Sequence, residues 1–332
     1  MTGTPERATH RTQAITMAKA GGPDVLEVAE VDLPAPGPGE ALVKINAVGV
    51  NFIDIYQRSG VYPVLLPHRP GSEGAGSVWA IGDGVTEVSV GDRVAWSDLP
   101  GSYAGAIIGP VDRLIPVPDD FDDQQAAALP LQGMTAHYLA TDSYRIRPGD
   151  TVLVHSGAGG VGLLLTQIAK IRGASVITTV STEPKAELST EAGADHVLVG
   201  YDRFSDRVRE LTAGMGVQAV YDGVGKDTVD ASLDSLARRG FLVLFGGSSG
   251  QVPPVDPQRL NRGGSLSLTR PKLNDFVVTR GELLGRAEDL FEWVGQGRLR
   301  VNVGGRYPLA EAGRAHQDLA GRRTTGKLLL LP

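Results

Sequence analysis

The feature that most constrains this chain is Gly157-Ala158-Gly159-Gly160-Val161-Gly162, a complete G-x-G-x-x-G lying between two patterns of different period. Val152, Leu153 and Val154 ahead of it form a short apolar run, as a buried parallel strand does. Behind it Val161, Leu164, Leu165, Ile168 and Ala169 recur at helical spacing. A strand feeding a helix through such a turn is the context in which the motif carries meaning. Gly157 allows the tight bend, Gly159 lets a pyrophosphate approach the backbone, and Gly162 lets helix and strand pack closely. The helix tip presents N–H groups and a positive dipole end to the phosphates. The stretch reads as a dinucleotide-binding turn.

That turn opens an alternation of elements. Strands are expected at 151–155, 175–180, 195–199, 217–222 and 240–246, with a short one near 265–269. Helices are expected at about 160–172, 184–192, 203–212 and 227–237. Such repetition calls for a parallel sheet wound with helices on both faces. Residues 13–129 read instead as short strands separated by glycine, proline and aspartate turns, which suggests a barrel-like β domain. Its strand candidates are 15–17, 25–31, 41–50, 76–81, 93–96, 104–108 and 114–117. Asn51 is placed to cap a short helix that ends at Gly60, and 124–141 read as helix interrupted at Pro130. The tail has helices near 282–294 and after Pro308, then a last strand at 327–331. It reads as returning to the first domain, which makes the nucleotide domain an insertion.

A length of 332 residues suits two domains, and 41% hydrophobic residues can fill a core in each. Net charge is -6 and no stretch concentrates Lys or Arg, which argues against nucleic acid or an anionic membrane as partner. The absence of cysteine excludes disulfides, thiolate nucleophiles and cysteine-ligated zinc. Residues 1–12 have no signal-peptide core, and no later run could cross a bilayer. The expectation is a cytoplasmic protein with a flexible extension at 1–12.

Cofactor choice falls at the end of the second sheet strand, where an NAD enzyme places a carboxylate for the ribose 2′-hydroxyl. Here Ser181 and Thr182 follow the strand, with Lys185 one helical turn on, a set that suits a 2′-phosphate and favours NADPH. Glu183 points the other way, although acids are common at a helix start, here followed by Pro184. Gly71-Ser72-Glu73-Gly74-Ala75-Gly76 lacks a phosphate-loop context and reads as a tight turn with close backbone packing. Loops 222–225 and 245–250 follow the fourth and fifth sheet strands, at the edge where ligands bind. The six histidines are scattered, none at metal-ligand spacing; His316 lies on an apolar stripe and reads as a core residue. His155 could hydrogen-bond backbone at the turn. No Ser-His-Asp arrangement announces itself.

Together these motifs resemble the quinone oxidoreductase (ζ-crystallin-like), zinc-independent branch of the medium-chain dehydrogenase/reductases. The resemblance runs from Gly21-Gly22-Pro23 to the end, through Asn51-Phe52-Ile53-Asp54-Ile55-Tyr56, Arg58-Ser59-Gly60-Val61-Tyr62-Pro63, the phosphate turn, Tyr221-Asp222-Gly223-Val224-Gly225, Gly246-Gly247-Ser248-Ser249-Gly250 and Thr269-Arg270-Pro271. It implies a Rossmann domain (132–274) inserted in a GroES-like barrel (13–131 and 275–332), with NADPH as cofactor and a homodimer. Zinc-dependent members of the superfamily carry cysteine where this chain has Asn51 and histidine where it has Ser72, so no metal is expected.

The resemblance further implies that Asn51, Phe52, Asp54 and Tyr56 border the nicotinamide pocket, with Tyr62 near the substrate. Tyr138, Gly160 and Val161 would meet the cofactor, with Val224, Phe245, Gly246 and Ser248 along its far edge. Pro271, Lys272, Leu273 and Arg322 would close over it, and Ser181 and Lys185 would hold the 2′-phosphate. The family's tyrosine after the third strand is offset by about one residue, which leaves Gly200 or Tyr201 at that place. The implied activity is hydride or electron transfer from NADPH to a quinone in a cleft between the domains, with a hydrogen bond from Tyr56 or Asn51 to the forming oxyanion. Alternatives are an alkenal or enone reductase with the same cofactor, and an NADPH-binding structural or RNA-binding protein without turnover.

Overall fold

The computed structural model describes residues 10–332 and divides into two compact units. The second comprises Gln132–Val278 and Glu288–Asn302; the first is the rest. Of the extension expected at 1–12, residues 1–9 lie outside the described residues, whereas 10–12 already belong to a strand.

The first unit begins with the antiparallel pair β1 (His10–Thr16) and β2 (Glu27–Leu33). β3 (Glu40–Val50) is the long strand on which the unit is organised, and α1 (Phe52–Arg58) follows it directly. β4 (Glu73–Ile81), β5 (Arg93–Trp96), β6 (Ala106–Pro110) and β7 (Ile115–Pro116) are short and turn-bounded, as their composition requires. Then come α2 (Asp123–Ala128), whose cap Asp122 accepts the Gln125 N–H at 2.7 Å, and α3 (Pro130–Tyr138), divided at the proline.

The second unit alternates. Its elements are β8 (Thr151–Val154), α4 (Gly160–Ile171), β9 (Ser175–Val180), α5 (Glu183–Glu191), β10 (His196–Val199), α6 (Phe204–Leu211), β11 (Val217–Asp222), α7 (Val229–Asp234), β12 (Leu236–Leu244), α8 (Pro257–Arg262) and β13 (Ser267–Thr269). Six parallel strands run in the order β10-β9-β8-β11-β12-β13, the doubly wound arrangement whose switch point lies between β8 and β11. β12 begins at Leu236 rather than 240, so the helix expected to reach 237 stops at Asp234. Leu153, Ile177, Val208, Val220 and Leu242 form the centre of this unit's core.

The chain then runs through α9 (Arg280–Gly295), β14 (Val303–Pro308), α10 (Ala312–Ala320) and β15 (Lys327–Leu331). β15 pairs antiparallel with β3 and places the tail in the first unit's sheet. That sheet follows β14-β15-β3-β4-β5-β7, with β6 also on β3, and among the described residues its ends do not pair. The expected barrel is therefore an open seven-stranded sheet. Its core gathers Val43, Ile45, Val48, Trp96, Tyr103 and Leu328.

Candidate active site

At the glycine turn the second unit does what the spacing requires. Gly159 is extended at the start of α4 and gives the helix no side-chain cap, so the first-turn N–H groups are left for a ligand. A Cβ on Gly162 would strike the Ser156 carbonyl, and one on Gly157 would lie 2.6 Å from Ser189 Oγ. On Gly160 it would run into the Gln132 amide. Gly160 and Val161 form the helix tip itself.

A buried network fixes the turn to the neighbouring loop. Ser232 Oγ donates to Asp222 Oδ2 at 2.9 Å, so it accepts from His155 Nε2 at 2.9 Å. His155 Nδ1 then accepts from Thr179 Oγ1 at 2.7 Å. Burial lowers the His155 pKa and keeps the ring neutral, consistent with that tautomer. The sequence reading placed His155 on backbone; its partners are side chains. Asp222 also accepts the Val224 and Gly225 N–H groups at 2.8 and 2.9 Å. Ser248 N–H donates to the Gly223 carbonyl at 3.2 Å, and Gly246 packs so closely on Gly223 that a Cβ would lie 2.6 Å from its oxygen. With Phe245 beside Gly223, the loops after β11 and β12 are locked together on one side of the switch point.

Past β9, Lys185 Nζ donates to Ser181 Oγ at 3.2 Å, so the ammonium and hydroxyl expected to meet a phosphate are adjacent, Ser181 exposed and Lys185 half-buried. Tyr201 stands elsewhere: its hydroxyl accepts the Ser156 N–H at 3.2 Å and lies 3.3 Å from Ser156 Oγ. It thus rests on the glycine turn. Tyr138 is buried, with its ring stacked on Phe276 at 4.2 Å. Pro271 is buried after β13, Lys272 pairs with Asp275 at 3.3 Å, and Leu273 opens a 3₁₀ turn. Arg322 belongs to the first unit, in the left-handed conformation at φ 55°.

In the first unit α1 carries the other group of expected residues. The rings of Phe52 and Tyr56 lie 6.1 Å apart, and Tyr62, in the following loop, meets Tyr56 edge-on at 5.3 Å. Asn51 is buried before the helix and its amide is engaged on both sides. Its Oδ1 accepts from Lys327 Nζ at 2.7 Å, while Nδ2 donates to Glu73 Oε2 at 2.8 Å and to the Gly49 carbonyl at 3.4 Å. Lys327 and Glu73, both buried, close the ring with an ion pair, and Glu73 Oε1 accepts the Leu131 N–H at 2.7 Å. Gly49 makes room: a Cβ there would lie 2.7 Å from Lys327 Cε. Burial lowers the Lys327 pKa while Glu73 raises it.

Asp54 extends the cluster inward. It is fully buried, accepts the Asn51 N–H at 2.8 Å and the Tyr103 hydroxyl at 3.0 Å through Oδ2, and leaves Oδ1 without a partner among the described residues. Burial raises its pKa to about 7 against those hydrogen bonds. Because Tyr103 donates to Asp54, it accepts from His316 Nε2 at 2.9 Å, and His316 Nδ1 accepts from Arg58 at 3.4 Å. Burial, then the Arg58 charge, lowers the His316 pKa to about 3. His316 is thus a satisfied core histidine, as its apolar stripe suggested.

Sequence reasoning missed Glu73, Lys327 and Tyr103. The segment 71–76 is not a turn: Gly74 and Gly76 lie inside β4, where a Cβ on Gly76 would strike the Lys44 carbonyl of β3. These glycines serve strand packing, and Glu73, which precedes them at the start of β4, is fully buried. The available signal for Lys327 was a lone charge opening the apolar run of β15.

The chain matches the family model described as "Alcohol dehydrogenase GroES-like domain" over residues 37–119 and that described as "Zinc-binding dehydrogenase" over 160–279. It is 46% identical to a quinone oxidoreductase of Pseudomonas aeruginosa, over 96% of this chain and 99% of the relative. It is 41% identical to a 2-haloacrylate reductase of a Burkholderia species, over 96% and 98% of the two chains. A mycobacterial protein solved in complex with NADPH superposes with a TM-score of 0.94 at 55% identity, over 96% of this chain and 100% of that one. The chain belongs to the quinone oxidoreductase family of the medium-chain dehydrogenase/reductase superfamily.

Proposed function

We propose that this protein transfers a hydride from NADPH to a quinone, and that its residues supply position rather than acid or metal catalysis. The observation that carries this reading is the state of Asn51, whose amide is committed to Lys327, Glu73 and Gly49. Asp54 is likewise turned inward, on Tyr103 and the Asn51 backbone. What α1 and its following loop offer an acceptor is then aromatic: Phe52, Tyr56 and Tyr62. A simple ketone needs its oxygen polarised before it takes hydride, whereas a quinone gains aromaticity on reduction and needs chiefly orientation. Tyr56 remains the candidate hydrogen-bond donor to the forming oxyanion.

The second unit supplies groups that fit NADPH. The helix tip at Gly160 and Val161 would hold the pyrophosphate, Ser181 and Lys185 the 2′-phosphate, and Val224, Phe245, Gly246 and Ser248 the nicotinamide end. Once bound, the dihydronicotinamide supplies two electrons and a proton as hydride. The acceptor takes one further proton from solvent to become the hydroquinone. Zinc does not fit this chain at Asn51: there is no cysteine, and the Lys327 ammonium already sits against Asn51 and Glu73, where a second cation would be repelled. Among the described residues no group of three His, Asp or Glu is placed to hold a metal ion.

The similarity to a 2-haloacrylate reductase supports a second reading, reduction of an activated C=C bond. Steady-state rates with NADPH on 1,4-benzoquinone, an unsaturated aldehyde and 2-chloroacrylate separate the two. The quinone is expected to be turned over fastest; an enal or enoate faster by orders of magnitude would reverse the ranking. Inactivity on the whole panel with NADPH binding retained would bring forward a binding protein without turnover. A homodimer and a cytoplasmic location complete the reading. Light scattering that returned the mass of one chain would remove the dimer. No helix among the described residues is long and apolar enough to cross a membrane.

A further inference from the structure

Five of the thirteen large apolar side chains exposed among the described residues lie within fourteen consecutive positions: Ile53, Val61, Tyr62, Leu65 and Leu66. Leu65 is 92% exposed and Val61 61%, so these are side chains standing in water rather than the rims of core residues. The clustering needs an explanation, because apolar surface is favourably covered and scattered single residues are the norm. The same segment, residues 51–67, shows no exposed charge. Its two charged residues, Asp54 and Arg58, are both buried in the Tyr103–His316 network. The patch is also continuous with the aromatic run, since Tyr62 N–H donates to the Tyr56 carbonyl at 3.0 Å and the two rings are in contact.

We propose that this uncharged apolar loop is the seat for the hydrocarbon substituent of the acceptor, so that the preferred substrates are neutral quinones carrying an alkyl or prenyl chain, whose tail lies along Val61, Leu65 and Leu66. The inference rests on the quinone reading and narrows it. Size favours a ligand over a second copy of the chain: five side chains at these exposures offer on the order of 400 Å², about half the ~800 Å² each partner of a stable dimer buries. Charge disfavours an anionic membrane, which is recognised by clustered Lys and Arg, and none is exposed in residues 51–67. It also disfavours a small carboxylate such as a haloacrylate, which would find no exposed cation within residues 51–67 to pair with.

The test compares two benzoquinones with the same ring, one bearing a decyl chain and the other a methyl group, assayed with NADPH below the detergent-like aggregation limit of the longer one. In the unaltered protein kcat/KM is expected to favour the decyl compound at least tenfold, the equivalent of burying about two methylenes. In the Leu65→Asp/Leu66→Ser double variant that ratio should fall to near one, with thermal unfolding showing the chain still folded. The ratio refers each variant to its own methyl-quinone rate, so a general loss of activity does not imitate the effect. Equal kcat/KM for the two quinones in the unaltered protein, or a tail preference that survives the double variant, would overturn the proposal. So would a fall in solution mass caused by the two substitutions, which would make the patch an interface between copies. Turnover of neither quinone, with NADPH still bound, would instead remove the quinone reading and this inference with it.

Discussion

Each unit buries a histidine within a polar network, and the two networks reach their sites by different means. In the second unit His155, Thr179, Ser232 and Asp222 support backbone: the Asp222 carboxylate ends on the Val224 and Gly225 N–H groups, and the proposed site is a helix tip. In the first unit Lys327, Glu73 and Asn51 hold one another, and the proposed site is the set of side chains left over on α1. One arrangement presents main-chain donors, which few substitutions can remove. The other depends on an ion pair between residues 254 positions apart, and loss of either partner strands the other in a dry interior.

That contrast predicts its largest effect at Lys327. Lys327→Met should destabilise the protein by about 3–5 kcal/mol in urea unfolding, because it leaves a buried carboxylate unpaired. Adding Glu73→Gln should recover most of the loss. A single-variant loss below about 1 kcal/mol, the range of an exposed pair, would break the distinction between the two networks.

Asp54 tests the same network by pH. Its folded-state pKa is raised to about 7 from an ordinary 3.8, so the folded protein binds the proton more tightly than the unfolded chain. Its contribution therefore diminishes stability as pH rises from about 4 to about 7 and is constant above. Asp54→Asn should lose that slope, gaining about 2–4 kcal/mol relative to the unaltered protein between pH 4 and pH 8. Parallel stability curves for the two proteins would show that Asp54 does not titrate in this window.

What the sequence disclosed follows the same division. The glycine turn was legible because its constraint is largely local: Gly159 and Gly162 answer to the Ser156 carbonyl, and Gly157 alone answers to residues farther along the chain, Thr178 and Ser189. The order of strands around it followed from alternation alone. β14 was missed because Gly304 and Gly305 dilute the strand pattern, and its pairing with β15 is what makes it a strand. β12 was begun too late because Arg238 and Arg239 look like a helix end, although Arg239 is held at φ 63° by tertiary context. Glu73 and Lys327 were invisible in their roles because a buried ion pair leaves no periodic trace; it is specified by topology, here β4 and β15 on either side of β3. The aromatic residues of α1 were named through the family resemblance, and the engagement of Asn51 by its neighbours was not.

On the cofactor side Gly162→Ala is expected to act next most strongly. The new methyl would strike the Ser156 carbonyl, so the turn must open for helix and strand to keep their spacing. NADPH affinity, followed by fluorescence titration, should fall at least about 100-fold, close to 2.7 kcal/mol. NADH should weaken alongside, because the pyrophosphate is common to both. A variant that bound NADPH normally would show that the turn tolerates what its geometry forbids.

Lys185→Ala is the smallest and most selective case. The ammonium lies beside the neutral Ser181 hydroxyl on a half-buried residue, so its removal should cost little stability. Its effect is confined to a ligand that carries charge at that place. NADPH affinity should fall about tenfold, roughly 1.4 kcal/mol, as suits one solvent-accessible charge-assisted hydrogen bond. NADH, which has a hydroxyl there, should be bound nearly as before. The two coenzymes thus separate the contribution of Lys185 from that of the turn: Gly162→Ala should weaken both, Lys185→Ala only one. An equal loss for NADPH and NADH in the lysine variant would mean that the 2′-phosphate is met by other groups, and that Glu183, at the start of the same helix, has to be weighed again as a ribose ligand.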